Sequence, residues 1–344
     1  MAKILYSVTG EGMGHAIRSH TIISELIKNH DIRITASDRA FPYLKERYGD
    51  IVSEIKGNTY VYEDNNVIIG KTLSKFLMNL PKNTVYNIKH MVPFVLDFKP
   101  DVVISDFEPA SVYLSRLLNI PCISIDNIHC ITECKHDIPP PFYVTTTIKT
   151  LNPICDYYIV TSIIDFKAKR PDKTVVVPPV IRAEIKEKES RIQDFILVYQ
   201  TSKTNEKMLP VLEAREESFR IYGMGKRKDR KNITFHEFSE KQFIEDLRSC
   251  RYVIVNGGFT VISESLYLNK PVLCIPIGAQ FEQLFNGICI QKHGLGAYTE
   301  ELSKEDLDSF EAEIDNYRSN VKKLGRWEDS KLFRHLDEIF KRYA

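Results

Sequence analysis

"VNGGFTVISESLYLNKPVLCIPIGAQFEQLFNG", residues 255–287, decides how this chain is read. It leaves an apolar run, "YVIVNGG" (252–258), turns on two glycines and enters a helical pattern, "TVISESLYLN". A second apolar run, "PVLCIPI" (271–277), follows, and Gln280, Glu282, Gln283 and Asn286 then gather on the next loop and helix. Short Val/Ile-rich runs separated by helices point to a parallel sheet covered on both faces.

The same alternation extends in both directions. "KILYSVT" (3–9), "DIRITAS" (31–37), "PDVVISD" (100–106), "IPCISI" (120–125) and "CDYYIVTS" (155–162) read as strands with helical stretches between them. The pattern restarts with "DFILVYQTS" (194–202), "SFRIYGMG" (218–225) and "NITFHEF" (232–238). Between the halves, "TVVVPPVIR" (174–182) and the charge-rich "AEIKEKESR" predict a linker, because paired prolines stiffen a chain and charges prefer water. The expected fold is α/β, with two doubly wound, Rossmann-like domains facing across a cleft. The first covers 1–173, the linker 174–190 and the second 191–325, while a helical tail over 326–344 could return to the first domain. Ligands of such sheets bind beyond the carboxyl ends of the strands.

The composition is that of a water-soluble globular chain. Of 344 residues, 43% are hydrophobic and 27% charged, and the net charge of +1 argues against a dedicated nucleic-acid binder. Seven cysteines are scattered without a Cys-x-x-Cys pair, which suits a reduced setting. No signal peptide and no run of about 18 apolar residues is evident, so the expectation is a cytoplasmic protein, with peripheral contact at the inner membrane face left open.

The loop "TGEGMGHAIR" (9–18) follows the first strand. Gly10-x-Gly12, with Asp38 after the second strand, partly matches a dinucleotide fingerprint, but the third glycine comes too early, at Gly14. The alternative reading uses glycine for close backbone approach and the helix N-terminus for an anion. His15 then sits in the first helical turn, where it is a candidate general base. Asp106 ends "DVVISD", a neighbouring strand if the order is the usual one, and could orient His15. The competing role for Asp106 is to cap the helix beginning near Pro109.

In the opening stretch, Gly257 and Gly258 lead into a helix that starts at Thr260, a second backbone-amide site for phosphate. Glu264 stands one turn further along on the same side. A carboxylate beside a phosphate site suits a diol such as ribose. Gln280, Glu282, Gln283 and Asn286 suit sugar hydroxyls, since amides donate and accept. Phosphate, ribose and pyranose together make a nucleotide sugar.

These residues carry a resemblance. "NGGFTVISESLYLNKPVLCIPIGAQFEQLFN" is similar to the donor-binding motif of GT-B glycosyltransferases, both the UDP-glucuronosyl/glucosyl-transferase group and the UDP-N-acetylglucosamine transferase of peptidoglycan synthesis. "GEGMGHAIR" resembles the glycine loop with histidine at the start of those enzymes, and its Gly12 would face the donor. The resemblance implies that Glu264 binds ribose, Gly258 and Thr260 the diphosphate, and Glu282 and Gln283 the donor sugar, with Asn286 one turn beyond. Thr201 and Ser202 of "QTSK" would touch phosphate, and Phe238 would meet the base through its backbone. His15 would be the base and Asp106 its support. The implied reaction is an inverting, metal-independent transfer from a UDP-linked hexose or N-acetylhexosamine to a hydroxyl acceptor. It needs no cofactor beyond the nucleotide sugar. Glu282 departs from the Asp that is frequent in the family, which leaves the sugar open.

Two rivals stand beside this reading. A UDP-sugar epimerase of the same fold would use acids such as Glu11, Glu108 and Asp126, and a non-catalytic binding subunit would lack the His15 role. "DNIHCITECKHD" (126–137) carries His129, Cys130, Cys134 and His136, but at a spacing unlike common zinc sites. His129 is expected on the acceptor side instead. Residues 71–98 read as a helical stretch interrupted by Pro81 and Pro93. Lys71, Lys75, Lys82 and Lys89 beside Phe76, Leu77, Met78 and Phe94 are compatible with a lipid-linked acceptor, though an ordinary packed helix is the favoured reading.

Overall fold

Runs rich in Val and Ile bury both faces when they pair in parallel, and here they build two sheets. The computed structural model describes every residue except Asn58, Pro153, Lys188, Ser202 and Ala344. Two compact units emerge: Met1–Tyr60 with Gly70–Val180 and Glu328–Ala344, and Val61–Ile69 with Ile181–Trp327.

The first unit holds β1 (Lys3–Val8), β2 (Asp31–Ser37), β3 (Val52–Ile55), β4 (Val102–Asp106), β5 (Cys122–Asp126), β6 (Tyr157–Thr161) and β7 (Thr174–Val177). Their spatial order is β7-β6-β5-β4-β1-β2-β3, all parallel. The order reverses at β1, which lies between β2 and β4, so the loops after β1 and β4 diverge and leave a crevice. Helix α1 (Met13–Leu26) follows β1 and buries Ile22, Ile23 and Leu26 in the core with Ile4, Tyr6 and Ile34. Gly10 is required between them, because a Cβ there would collide with the Ser37 carbonyl at the end of β2.

Helix α2 (Ile69–Phe98) joins β3 to β4 as one continuous helix, not the interrupted stretch expected. Pro81 and Pro93 sit at exposed positions, and so do Leu77 and Lys89 four residues earlier, whose freed carbonyls water can serve. Helix α3 (Pro109–Leu118) follows β4. Its cap is Glu108, which accepts from the amides of Ala110 and Ser111 at 3.0 and 2.7 Å. Capping therefore does not occupy Asp106.

The second unit holds β8 (Ile196–Tyr199), β9 (Phe219–Tyr222), β10 (Ile233–His236), β11 (Val253–Val255), β12 (Val272–Cys274) and β13 (Gly296–Tyr298). Their order, β10-β9-β8-β11-β12-β13, is again parallel throughout and reverses at β8. Helix α4 (Phe259–Tyr267) follows β11, and α5 (Phe281–Lys292) follows β12. A hairpin from far upstream, Tyr62–Glu63 paired with Asn66–Val67, also belongs to this unit. The last helix, α6 (Ser330–Tyr343), sends Leu332, Leu336, Ile339 and Phe340 into the core of the first unit.

The boundaries differ from those read in the sequence. Residues 174–177, expected to open a linker, form edge strand β7 beside β6, because Val175–Val177 satisfy their backbone there. The chain changes unit at Val180/Ile181, just past Pro178 and Pro179.

Candidate functional site

In the first unit, β1 and β4 run side by side with Val8 opposite Asp106. The β1–α1 loop and the end of β4 therefore meet at the point where the strand order reverses. His15 Nδ1 lies 2.7 Å from Asp106 Oδ1. Arg18 Nη2 also stands 3.1 Å from Nδ1, but the shorter contact is to the Asp106 carboxylate, which can only accept, so the assigned tautomer has its proton on Nδ1. The His15 side chain retains 17% exposure while Asp106 is fully buried.

Asp106 is further held by Arg18, whose Nε donates to Oδ2 at 3.0 Å and whose second terminal nitrogen donates to Oδ1, and by the Ser19 hydroxyl at 2.9 Å. Burial pushes the Asp106 carboxyl up, but the Arg18 guanidinium and His15 outweigh it and hold the group below the usual carboxylate range. Arg18 was absent from the candidates. Its signal was there, in the His15-x-x-Arg18-Ser19 spacing that puts all three on one face of α1.

The other acids near this point have occupations. Asp126 Oδ2 accepts from Ser124 Oγ at 2.6 Å and lies 2.7 Å from His129 Nδ1. Burial raises the Asp126 carboxyl, and His129 with these hydrogen bonds more than reverses the effect. His129 is buried among Asp126, Phe107 and Tyr158 and does not line an open surface, contrary to expectation. Its neighbour pattern in sequence also disperses: His136 Nε2 meets the Ile131 carbonyl, and Cys130 and Cys134 are separately buried. Glu108 is a helix cap, and Glu11 accepts from the Tyr60 amide at 3.3 Å. None of the three acids an epimerase would use stands unoccupied.

In the second unit, the loops after β8 and β11 meet at the reversal of strand order. Asn256 bridges them. Its Oδ1 accepts from the Thr201 amide at 2.7 Å, and its Nδ2 donates to Gln200 Oε1 at 2.7 Å and to the Ile275 carbonyl at 3.1 Å. Gly257 has φ +97, and a Cβ on it would stand 2.7 Å from the Gln283 carbonyl oxygen, so only glycine fits. Gly258 is the N-cap of α4, with no side-chain cap. A Cβ on Gly258 would meet no heavy atom within 4 Å, and the same holds for Gly12, the N-cap of α1. Neither N-cap residue is therefore crowded at its Cα. Thr260 lies half-buried in the first turn of α4; Ser202 lies outside the described residues.

Glu264 is not the open carboxylate the motif suggested. It is 2% exposed and held by a two-pronged fork from Arg182, Nε to Oε1 at 2.6 Å and Nη2 to Oε2 at 2.7 Å. Arg182 Nη1 also donates to Glu240 at 2.6 Å. A carboxylate has about four acceptor sites, so the fork fixes its orientation and leaves acceptor capacity for a diol. Arg182 was hidden in the expected linker.

The amide cluster divides. Asn286 Nδ2 donates to the Gly257 carbonyl at 3.0 Å, and Gln283 Oε1 accepts from the Ile277 amide at 2.9 Å. Both are buried and brace the loops rather than facing outward. Gln280 Nε2 donates to the Tyr62 hydroxyl at 2.9 Å. Glu282 stands half-buried in the first turn of α5, where its charge complements the helix N-terminus. Phe238, after β10, is 47% exposed and lies near Tyr199 and Phe243.

The upstream hairpin completes this loop system. Gly278 and the hairpin exchange backbone bonds, Val67 amide to Gly278 carbonyl at 2.9 Å and Gly278 amide to Asn65 carbonyl at 2.8 Å. The Asn65 amide donates to Thr204 Oγ1 at 2.9 Å. Nothing in the sequence of 61–69 signals this role.

A family model described as glycosyl transferase family 1 matches residues 2–315. An uncharacterized glycosyltransferase of Methanosarcina mazei is 30% identical over 134 residues, 36% of this chain. That alignment spans 32% of the archaeal relative's length. Arabidopsis thaliana UGT89C1 complexed with UDP has a similar structure, with a TM-score of 0.65 and 14% identity over 100% of both chains. Phytolacca americana UGT2, complexed with UDP-2fluoro-glucose and pterostilbene, gives 0.64 and 14% over 97% of this chain and 98% of that one. The calicheamicin glycosyltransferase CalG4 gives 0.64 and 13% over 100% and 99%. At these identities the likeness establishes the fold, GT-B.

Proposed function

The chain belongs to glycosyl transferase family 1, and we propose that it moves a hexose or N-acetylhexosamine from a UDP-linked donor to a hydroxyl acceptor with inversion. The observation that carries the base assignment is His15, in the first turn of α1, held through Nδ1 at 2.7 Å by Asp106 at the end of β4. His15 Nε2 takes the acceptor proton as the acceptor oxygen attacks the anomeric carbon from the face opposite the leaving group. The bond from that carbon to the diphosphate oxygen breaks, and the nucleoside diphosphate departs. Asp106 keeps the tautomer and supports the imidazolium, while Arg18 and Ser19 keep Asp106 ionised and in place.

The donor belongs to the second unit in this reading. The amides opening α4 at Gly258, with Thr260, receive the diphosphate, and the helix N-terminus stabilises the charge that develops on it. No step calls on a metal ion. Glu264, oriented by Arg182, accepts from the ribose hydroxyls. Glu282 and Gln280 face the sugar, and Phe238 lies beside the base. UDP is preferred because two proteins of like fold were solved with UDP or a UDP-sugar.

The test is calorimetry with UDP, GDP and dTDP, then release of nucleoside diphosphate from UDP-glucose and UDP-N-acetylglucosamine. His15→Ala is expected to bind UDP as the wild type does and to lose roughly 100- to 10,000-fold in turnover. Absence of binding by any nucleotide defeats the donor reading, and full turnover in His15→Ala defeats the base. Epimerised nucleotide sugar formed without an acceptor would replace transfer by epimerisation.

A further inference from the structure

Helix α2 carries an apolar stripe at helical spacing, Leu73, Leu77, Leu80 and Ile88, continued by Met91, Val95 and Phe98. Its last three members are buried in the first unit. The first four are exposed by 53, 57, 43 and 58%. Met78 and Val85 widen the exposed face, at 68 and 66%. The contrast with α6 is instructive: that helix is also amphipathic, but its Leu332, Leu336, Ile339 and Phe340 are all covered. The helix expected to pack over 71–98 does so through Asn83, Tyr86 and Asn87, which bond to residues 54–57, and through its C-terminal third, while the stripe before Met91 stays uncovered.

The charge beside this face has one sign. From Ile69 to Leu96 there are four lysines and no Asp or Glu. At 100° per residue, Lys71, Lys82 and Lys89 fall within about 20° of one another, roughly 20–60° beyond Met78 and Val85 and on the far side of these two from Leu77 and Ile88. Lys75 is turned to Thr59 Oγ1, 2.6 Å away. Among the described residues no helix is long and apolar enough to cross a membrane.

We propose that the exposed face of α2 docks on an anionic lipid surface, with Leu77, Met78, Val85 and Ile88 entering the headgroup boundary and the lysine edge meeting lipid phosphates. A second copy of the chain is a poorer occupant, because in a self-complementary contact the same surface offers these lysines no acid. The inference is independent of the glycosyl-transfer reading and gives it a place: transfer beside a membrane, where a lipid-linked acceptor would be presented.

The test is co-sedimentation of the full chain with vesicles of equal parts phosphatidylglycerol and phosphatidylcholine, and with phosphatidylcholine alone, at low and high salt. The wild type is expected to sediment with the anionic vesicles and to be released by salt. Lys82→Gln with Lys89→Gln should weaken partition roughly thirtyfold. Leu77→Ser, Val85→Ser and Ile88→Ser together should abolish it while circular dichroism and UDP binding stay unchanged. Wild type left in the supernatant, or a triple variant that binds as the wild type does, overturns the proposal. So does a wild-type dimer in light scattering that the triple variant turns into a monomer without any vesicle binding.

Discussion

Replacing Arg18 with Met should destabilise the first unit by about 3–5 kcal/mol at neutral pH, the usual cost of stranding one partner of a buried ion pair. Arg18 and Asp106 are 5% and 0% exposed, so solvent screens neither. The substitution removes two donors from the carboxylate and leaves His15 and Ser19. The loss must also depend on pH. Asp106 has a lowered folded pKa, so it contributes stability above its unfolded value, about 3.9, that is lost as pH falls through the folded value. Without Arg18, burial dominates and the carboxyl binds a proton more readily when folded than when unfolded. The variant then gains on the wild type as pH falls from neutral toward about 4. Urea unfolding read by amide exchange in β1 and β4 isolates this unit from the other. Arg18→Met with Asp106→Asn should recover at least half the loss. A cost below about 1 kcal/mol, or a gap that does not narrow in acid, would refute the account.

Gly257→Ala and Gly258→Ala should behave oppositely. The first forces a methyl against the Gln283 carbonyl at φ +97 and should cost more than about 1 kcal/mol, while the second should leave stability within about 0.5 kcal/mol yet remove UDP binding by calorimetry. Arg182→Lys cannot reproduce the fork on Glu264 and should weaken UDP binding roughly tenfold. Lys270 is buried, and that burial lowers its pKa to about 8. At this site the unfolded chain therefore holds more protons between pH 8 and about 10.4, so Lys270 contributes a gain of roughly 3 kcal/mol across that window, while the buried thiols of Cys250 and Cys274, pushed up to about 12, work in the opposite sense. Urea titrations at the two ends of it should show the wild type gaining roughly 3 kcal/mol on Lys270→Met.

The strands and their parallel pairing were legible because Val/Ile runs have few other uses, and β1, β4 and β11 fell where the sequence put them. His15 and Asp106 were legible for a related reason: in such sheets the ends of strands converge. What escaped was the wiring behind those residues. Arg182 looked like linker because it follows Pro178 and Pro179, and sequence does not reveal that a side chain reaches back to Glu264. Gln283 and Asn286 have the right chemistry for hydroxyls, but their backbone positions turn them inward to the Ile277 amide and the Gly257 carbonyl. The face of α2 was misjudged because a periodic stripe looks the same whether or not anything covers it.

The hairpin of residues 61–69 bears on the order of events during synthesis. It leaves the ribosome more than a hundred residues before Ile181, yet its pairing partner is Gly278. Helix α6 imposes the reverse delay, since the core of the first unit lacks Leu332, Leu336, Ile339 and Phe340 until Ser330–Tyr343 is made. Neither unit is a contiguous piece of chain, and the second, all of whose residues precede Glu328, can be completed before the first receives its last helix. Completion of the N-terminal unit first, the ordinary order for a nascent chain of two units, is closed to this one. A ribosome stalled just after Trp327 would hold a first unit without its last helix, and that intermediate is where a chaperone would find its client.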